Sequence, residues 1–286
     1  MTVFFRLTAQ KQTCTIYSKK YRNVPERGAV MVKMILIASN KGGVTKTTST
    51  VILAELLVAV GYKVLVVDLD SQGNATQMLT GDSIYKYTGR SVLEAIKEQN
   101  PKQYMVQTKE NLYLLPAEDM LATFSRYIYT SNIQYPMKVI KQTLERIEND
   151  FDFVFLDCPP NLGDIVLNSV VYTDYVIVPV DSGSFGLDAL DRFVDFINGA
   201  REEGHTHAEL LGVVMTLRDG RSKHEKDVVT EIRAEYGDLV FGAEIRRLTK
   251  IKEMAAQGVD PQSKEHLTAL ADYLQLVEEV IERVEQ

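Results

Sequence analysis

The stretch 38-ASNKGGVTKTTST-50 carries two lysines five positions apart, Lys41 and Lys46, around the glycine pair Gly42 and Gly43. A loop of the form G-x-x-x-x-G-K-[ST] between a strand and a helix turns its backbone N–H groups toward phosphate oxygens, and the helix dipole favours the anion. The flanks fit: 34-MILIAS-39 reads as the strand and 46-KTTSTVILAELLVAV-60 as a buried helix, with Gly61 as its left-handed cap. Lys46 then neutralises the β and γ phosphates, and Thr47 offers a hydroxyl to Mg²⁺. Asn40 and Thr45 stand where the strict pattern has glycines. A glycine is needed before the lysine only if that residue takes positive φ or clears a phosphate. With Thr45 already starting the helix, a β-branched side chain costs little, so helical geometry is expected there.

Working outward, short apolar runs alternate with helical segments, the pattern of an α/β fold with a mostly parallel sheet covered by helices on both faces. Further strands are expected in 63-KVLVVDLD-70, 111-NLYLLPA-117, 152-DFVFLDCPP-160, 174-DYVIVPVD-181 and 208-AELLGVVMTLRD-219. Helices are expected over 137–149, 187–203, 223–236 and 264–284. Ligands of such sheets sit beyond the carboxyl ends of the strands. The loop after the first strand, Asp68 and Asp70 after the second and Asp157 after the fourth should therefore converge on one site.

The chain has 286 residues, 45% of them hydrophobic and 25% charged, and no apolar run long enough to span a bilayer. Cys14 and Cys158 are too few for a disulfide framework, and no secretory signal pattern opens the sequence, which together suit a reducing cytosol. His205 and His207 lack partners at metal-ligand spacing and read as solvated. Net charge is −7, but residues 1–33 hold seven basic residues against the single acid Glu26, a balance of +6 that leaves −13 for the remainder. That arm is either a flexible basic tail touching DNA or a partner, or a dispensable start ahead of Met31 and Met34. Residues 34–286 read as one domain.

KGGVTKTT (41–48) resembles the deviant Walker A motif KGGxxK[ST][ST] of the ParA/MinD family of dimeric P-loop ATPases. VVDLDSQGNAT (66–76) resembles the family's DxDPQGNAT segment, and LDCPPNLG (156–163) its DCPPxLG segment. Residues 212–238 resemble the Soj-type stretch around MTxxDxRT, so the likeness runs from about residue 34 to the end. It implies a P-loop NTPase that holds ATP on Lys41, Gly42, Gly43, Val44, Thr45, Lys46, Thr47 and Thr48. Lys41 would reach across an ATP-sandwich homodimer to the partner's phosphates, a cation supplied in trans. Asp70 would orient the attacking water, Asp157 would hold Mg²⁺ through water beside Thr47, and Asp68 would be supporting. Ser71, where the family usually has proline, leaves the first switch open.

Within that family, MinD-like members carry a basic amphipathic C-terminal helix, whereas 270-LADYLQLVEEVIERVEQ-286 is acidic and unsuited to an anionic membrane. Cys158 stands alone, against the cluster-bearing members. A chain of this length also lacks room for a long helix-turn-helix extension. The resemblance then points to a short Soj-like partition ATPase, cytoplasmic and nucleoid-associated, that binds DNA without sequence preference and is released by a ParB-like partner. Its DNA contacts would fall on Arg221, Arg247, Lys250 and Lys252. Arg246 and Leu248 replace the proline and asparagine of the family's IPRN, so contacts to the base are open. A MinD-like membrane-site regulator and a positioner of non-DNA cargo are the alternatives.

Overall fold

Ile35, Leu36 and Ile37 are wholly buried, as expected of a parallel strand covered on both faces. The computed structural model describes residues 31–181, 183, 186–219, 223–261 and 263–286, so the basic arm before residue 31 lies outside the described residues. Strand β1 (Lys33–Ile37) leads into α1 (Lys46–Ala59), and β2 (Val64–Asp68) into α2 (Asn74–Thr80). After α3 (Val92–Glu98) and the single turn α4 (Pro101–Tyr104) come β3 (Val106–Lys109) and β4 (Leu112–Leu115). Helices α5 (Phe124–Thr130) and α6 (Val139–Leu144) precede β5 (Phe153–Asp157), followed by α7 (Asp164–Tyr172), β6 (Tyr175–Asp181) and α8 (Gly186–Glu202). The chain continues through β7 (Glu209–Arg218), α9 (Lys223–Tyr236), β8 (Val240–Arg246), α10 (Thr249–Gln257), α11 (Lys264–Ala269) and α12 (Ala271–Val284).

Among the described residues these strands form one eight-stranded sheet in the order β3-β4-β2-β5-β1-β6-β7-β8, parallel except for β3 against β4. Side chains alternate across it with period two. Leu36, Val154 and Leu156 join the core beneath α7, while Ile35, Ile37 and Phe155 join the core under α1 and α12. Helix α1 is apolar on most of its surface because it lies between the sheet and α12, and residues from Ser49 through Leu57 are buried. It ends as its sequence suggests: Gly61 has φ 109°, and the Tyr62 N–H donates back to the Leu57 carbonyl at 3.1 Å.

The strand expected in 111–117 is present as β4, and the structure adds two strands and shortens one helix relative to the sequence reading. The run 111–117 is one arm of a hairpin: Glu110 and Asn111 form its turn, Asn111 takes φ 61°, and the polar edge strand β3 carries too little apolar pattern to be seen. Strand β8 was not expected: Phe241, Ala243 and Ile245 alternate with the outward Gly242, Glu244 and Arg246, but two of these positions are the small Gly242 and Ala243, which leave a weak apolar signal. The helix expected over 137–149 is only Val139–Leu144 between two 3₁₀ turns; the Asn168 side chain fixes its start by accepting the Val139 N–H at 3.1 Å.

The C-terminal segment is two helices meeting at Leu270. In α12, Tyr273, Leu276, Val277, Val280, Ile281 and Val284 are buried, the i, i+3, i+4, i+7 spacing of a packed stripe. Its acids cover the edge strand β8: Glu279 accepts the Gly242 and Ala243 N–H groups at 2.6 and 2.8 Å, and Asp272 accepts that of Arg246 at 3.0 Å. Open N–H groups on an edge strand invite pairing with another chain, and these carboxylates occupy them. No helix among the described residues is long and apolar enough to cross a membrane.

Candidate nucleotide site

The carboxyl ends of β1, β5 and β2 lie side by side, with Ile37 and Asp68 both in register with Asp157. Beyond them opens a cavity of about 750 Å³. One wall is Gly42, Gly43, Thr45, Lys46, Thr47 and Thr48, with Asp70 and Pro160 beside them. The opposite wall, Ile245 to Leu248, Ile251, Lys252 and Ala255, comes from the end of β8 and from α10. Lys41 and Val44 flank the loop: Val44 is buried, and its carbonyl accepts the Thr216 hydroxyl at 3.2 Å.

No side chain caps the start of α1, so its first-turn N–H groups keep their capacity for an anion. Gly43 has φ 76° and open space where a Cβ would stand, and a Cβ on Gly42 would lie 3.9 Å from the Pro160 ring. The two loops are thus within touching distance.

Thr45 departs from expectation. It has φ 68° and ψ 20°, the left-handed region, and only the next residue is helical. The glycine of the strict pattern is therefore replaced at a position that does need positive φ, where a β-branched residue is an outlier. Of the five non-glycine residues with positive φ among the described residues, Gln99, Asn111 and Asn132 carry amide side chains. The other two, Thr45 and Leu217, both line this cavity. Backbone strain of this kind gathers where a fold must present groups to a ligand.

Lys46 is 7% exposed, and its ammonium donates to the Lys41 carbonyl at 3.0 Å. Burial lowers its pKa, with Asp157 and Asp70 opposing that shift. Lys41 itself is ion-paired with Asp181 at the end of β6, 2.6 Å away. Nothing in the loop pattern signalled Asp181, although its place at a strand's carboxyl end could have.

The three acids differ in their surroundings. Asp68 is fully buried and accepts the Thr76 N–H and hydroxyl at 2.8 and 2.7 Å and the Asp70 N–H at 3.2 Å. Burial raises its pKa to about 7 against those bonds. Asp70 is half-buried and accepts the Gln72 N–H at 3.0 Å. Asp157 is fully buried, yet neither carboxylate oxygen has a hydrogen-bond partner. Burial pushes its pKa well above the ordinary 3.8, Asp68 adds to the rise, and Thr47 and Lys46 favour the charged form.

A buried carboxylate without partners is costly unless something binds it. Oxygen chemistry beside a threonine hydroxyl suits a hard divalent cation such as Mg²⁺, held by one or two protein ligands together with phosphates and water. Consistent with that division, no group of three or more His, Cys, Asp or Glu among the described residues forms a cage of its own. The residues present fit Mg²⁺.

This predicts opposite effects on stability and binding. Because the folded-state pKa of Asp157 is raised, ionisation opposes folding: its contribution is most favourable below pH 3.8 and is lost as pH rises through the folded value. Without nucleotide or divalent cation, Asp157→Asn should stabilise the protein at neutral pH by about 1 kcal/mol and leave it nearly unchanged near pH 3.8. Thermal melts at the two pH values, with a Mg²⁺ titration of nucleotide binding, check both halves; the variant should lose the Mg²⁺ enhancement.

The residues expected to touch DNA separate. Arg247 and Lys252 line the cavity. Lys250 is paired with Glu265 at 2.7 Å and Glu253 at 3.1 Å, and Arg221 lies outside the described residues. Arg246 forms a double-pronged pair with Asp272, while Leu248 joins Ile245, Ile251 and Ala255 in an apolar stretch of the cavity wall. Ile245 and Leu248 fall in the segment that the resemblance ties to the base, whereas Ile251 and Ala255 were not singled out because α10 was not expected from the sequence.

Strand–loop–helix geometry, an uncapped helix start with a buried lysine, and acids on neighbouring strand ends together define a P-loop nucleotide-binding protein. Residues 32–210 match a family model described as an AAA domain. The chain is 30% identical over 256 residues to the chromosome-partitioning ATPase Soj of Thermus thermophilus, an alignment covering 89% of this chain and 98% of that protein. A solved plasmid partition protein from Borrelia burgdorferi superposes with a TM-score of 0.66 at 27% identity, covering 79% of this chain and 95% of that one. Cobyrinic acid a,c-diamide synthase from Mycobacterium smegmatis, solved with ADP and magnesium, gives 0.70 at 32% identity, covering 79% and 91%. The chain belongs to the ParA/Soj-type family of P-loop partition ATPases.

Proposed function

We propose that this protein is a Mg²⁺-dependent ATPase that partitions a plasmid, mobile element or chromosome by cycling on and off DNA. The observation that carries the reading is the cavity lined by Gly42, Gly43, Lys46, Thr47 and Asp70 at the strand ends where β5 brings the buried Asp157, whose carboxylate oxygens have no hydrogen-bond partner. In it the N–H groups of the loop and of the α1 start bind the phosphates, and Lys46 neutralises them. Thr47 and Asp157 would hold Mg²⁺, which when bound supplies charge neutralisation at the β and γ phosphates. Asp70, the more exposed acid, orients the attacking water. The apolar stretch from Ile245 to Ala255 excludes water from the base.

Lys41 links this chemistry to assembly. Released from Asp181, it reaches the phosphates on a second subunit, so that ATP favours a face-to-face homodimer. That dimer binds nucleoid DNA without sequence preference, with Lys250 exchanging its carboxylate partners for backbone phosphate. A ParB-like protein bound to the cargo stimulates hydrolysis and releases it. The relatives named as partition proteins support the DNA step. Sedimentation velocity with Mg²⁺ and a non-hydrolysable ATP analogue, compared with ADP, tests the assembly step: a dimer with the analogue and a monomer with ADP are expected. The same mass in both states contradicts it.

A further inference from the structure

The left-handed Thr45 needs something to hold it. A glycine would occupy that conformation without strain, whereas threonine brings a Cβ branch that opposes it and a hydroxyl that can be gripped. The Thr45 hydroxyl oxygen lies 3.3 Å from that of Ser49, one turn further along α1, and the Ser49 N–H donates to the Thr45 carbonyl at 2.8 Å. The Ser49 hydroxyl in turn lies 3.2 Å from the phenol oxygen of Tyr273. Tyr273 comes from α12, more than 220 positions later, is wholly buried, and lines the same cavity as Thr45. A run of hydroxyl contacts thus joins the C-terminal helix to Thr45, the non-glycine residue of the phosphate loop that takes positive φ.

We infer that Tyr273 is a positioning residue for the phosphate loop: through Ser49 it holds the Thr45 hydroxyl, and so keeps Thr45 in the left-handed geometry that aims the loop's N–H groups and Lys46 at phosphate. The inference rests on the nucleotide-binding reading above. Burial raises the Tyr273 pKa to about 12, so the phenol keeps its proton at neutral pH and can donate. Ser49 can pass the bond on because a hydroxyl both donates and accepts. Thr45 and its support come as a set: with glycine at 45 both the strain and the handle vanish.

That pairing supplies the test. Tyr273→Phe and Ser49→Ala are each expected to weaken binding of a fluorescent ATP analogue about fivefold when Thr45 is present, the scale of one lost hydrogen bond. Neither should have a measurable effect in the Thr45→Gly background. A tyrosine that merely packs the core would act equally in both backgrounds, so equal loss in both, or no loss in either, overturns the inference. Thermal melts check that each variant folds. Amide hydrogen exchange at residues 43–46 reads the loop without nucleotide: faster exchange in Tyr273→Phe is expected only with Thr45, and unchanged exchange overturns the inference. Failure of the wild type to bind nucleotide would instead sink the proposed function, leaving hydrogen exchange to decide the role of Tyr273.

Discussion

Asp70→Ala is expected to slow ATP hydrolysis by about 10²- to 10⁴-fold, the range associated with loss of a positioned acid–base group. ATP binding should be retained or slightly tightened. The sign of the second effect follows from charge: Asp70 adds to the forces raising the Asp157 pKa, so it opposes negative charge at that point of the cavity. Removing it leaves Lys46 and the loop N–H groups facing the phosphates with one fewer competing anion. Phosphate release measured beside a nucleotide-binding titration separates the two quantities. Loss of binding in proportion to activity would make Asp70 a structural support for the pocket and not a residue of the chemical step.

Lys41→Ala should remove ATP-dependent dimerisation, with dimer affinity falling by more than about tenfold as buried interfacial charge contacts are lost. Monomer folding and nucleotide affinity should change little. The Lys41–Asp181 pair is partly exposed, with side-chain accessibilities of 31% and 22%, and pairs of that kind add little to stability. Asp181→Asn makes the complementary case: it frees Lys41 without deleting it and should preserve the dimer. Sedimentation of the two variants with a non-hydrolysable analogue distinguishes a lysine used across the interface from one used only within its own subunit. If Lys41→Ala still dimerises, the in-trans role is wrong.

The centre of the fold was legible because its strands are buried on both faces and announce themselves as unbroken apolar runs such as 34-MILIAS-39 and 153-FVFLD-157. Edges were less legible. Strand β3 is four residues long and mostly polar, and β8 has the small Gly242 and Ala243 at its middle, so their alternating burial leaves little apolar signal in the sequence. At the site, the loop residues that line the cavity lie in a contiguous motif and could be read directly. Those that support them could not: Asp181, Thr216 and Tyr273 reach the loop from 140 or more positions away, through bonds that only tertiary packing creates. Thr45 is the instructive miss. Local propensity allowed it a place in the helix, and the loop's need for positive φ overrode that preference.

Under the proposed function, ATP converts this acidic chain into a DNA-binding dimer. The most direct measurement is retention on a nonspecific duplex with ATP and Mg²⁺, or with ADP, across a salt series. Retention is expected with ATP only, with affinity that falls steeply as salt rises and a shallower salt dependence for Lys250→Ala as phosphate contacts are lost. A wild-type protein that dimerises with ATP yet never holds the duplex at any salt concentration would contradict it.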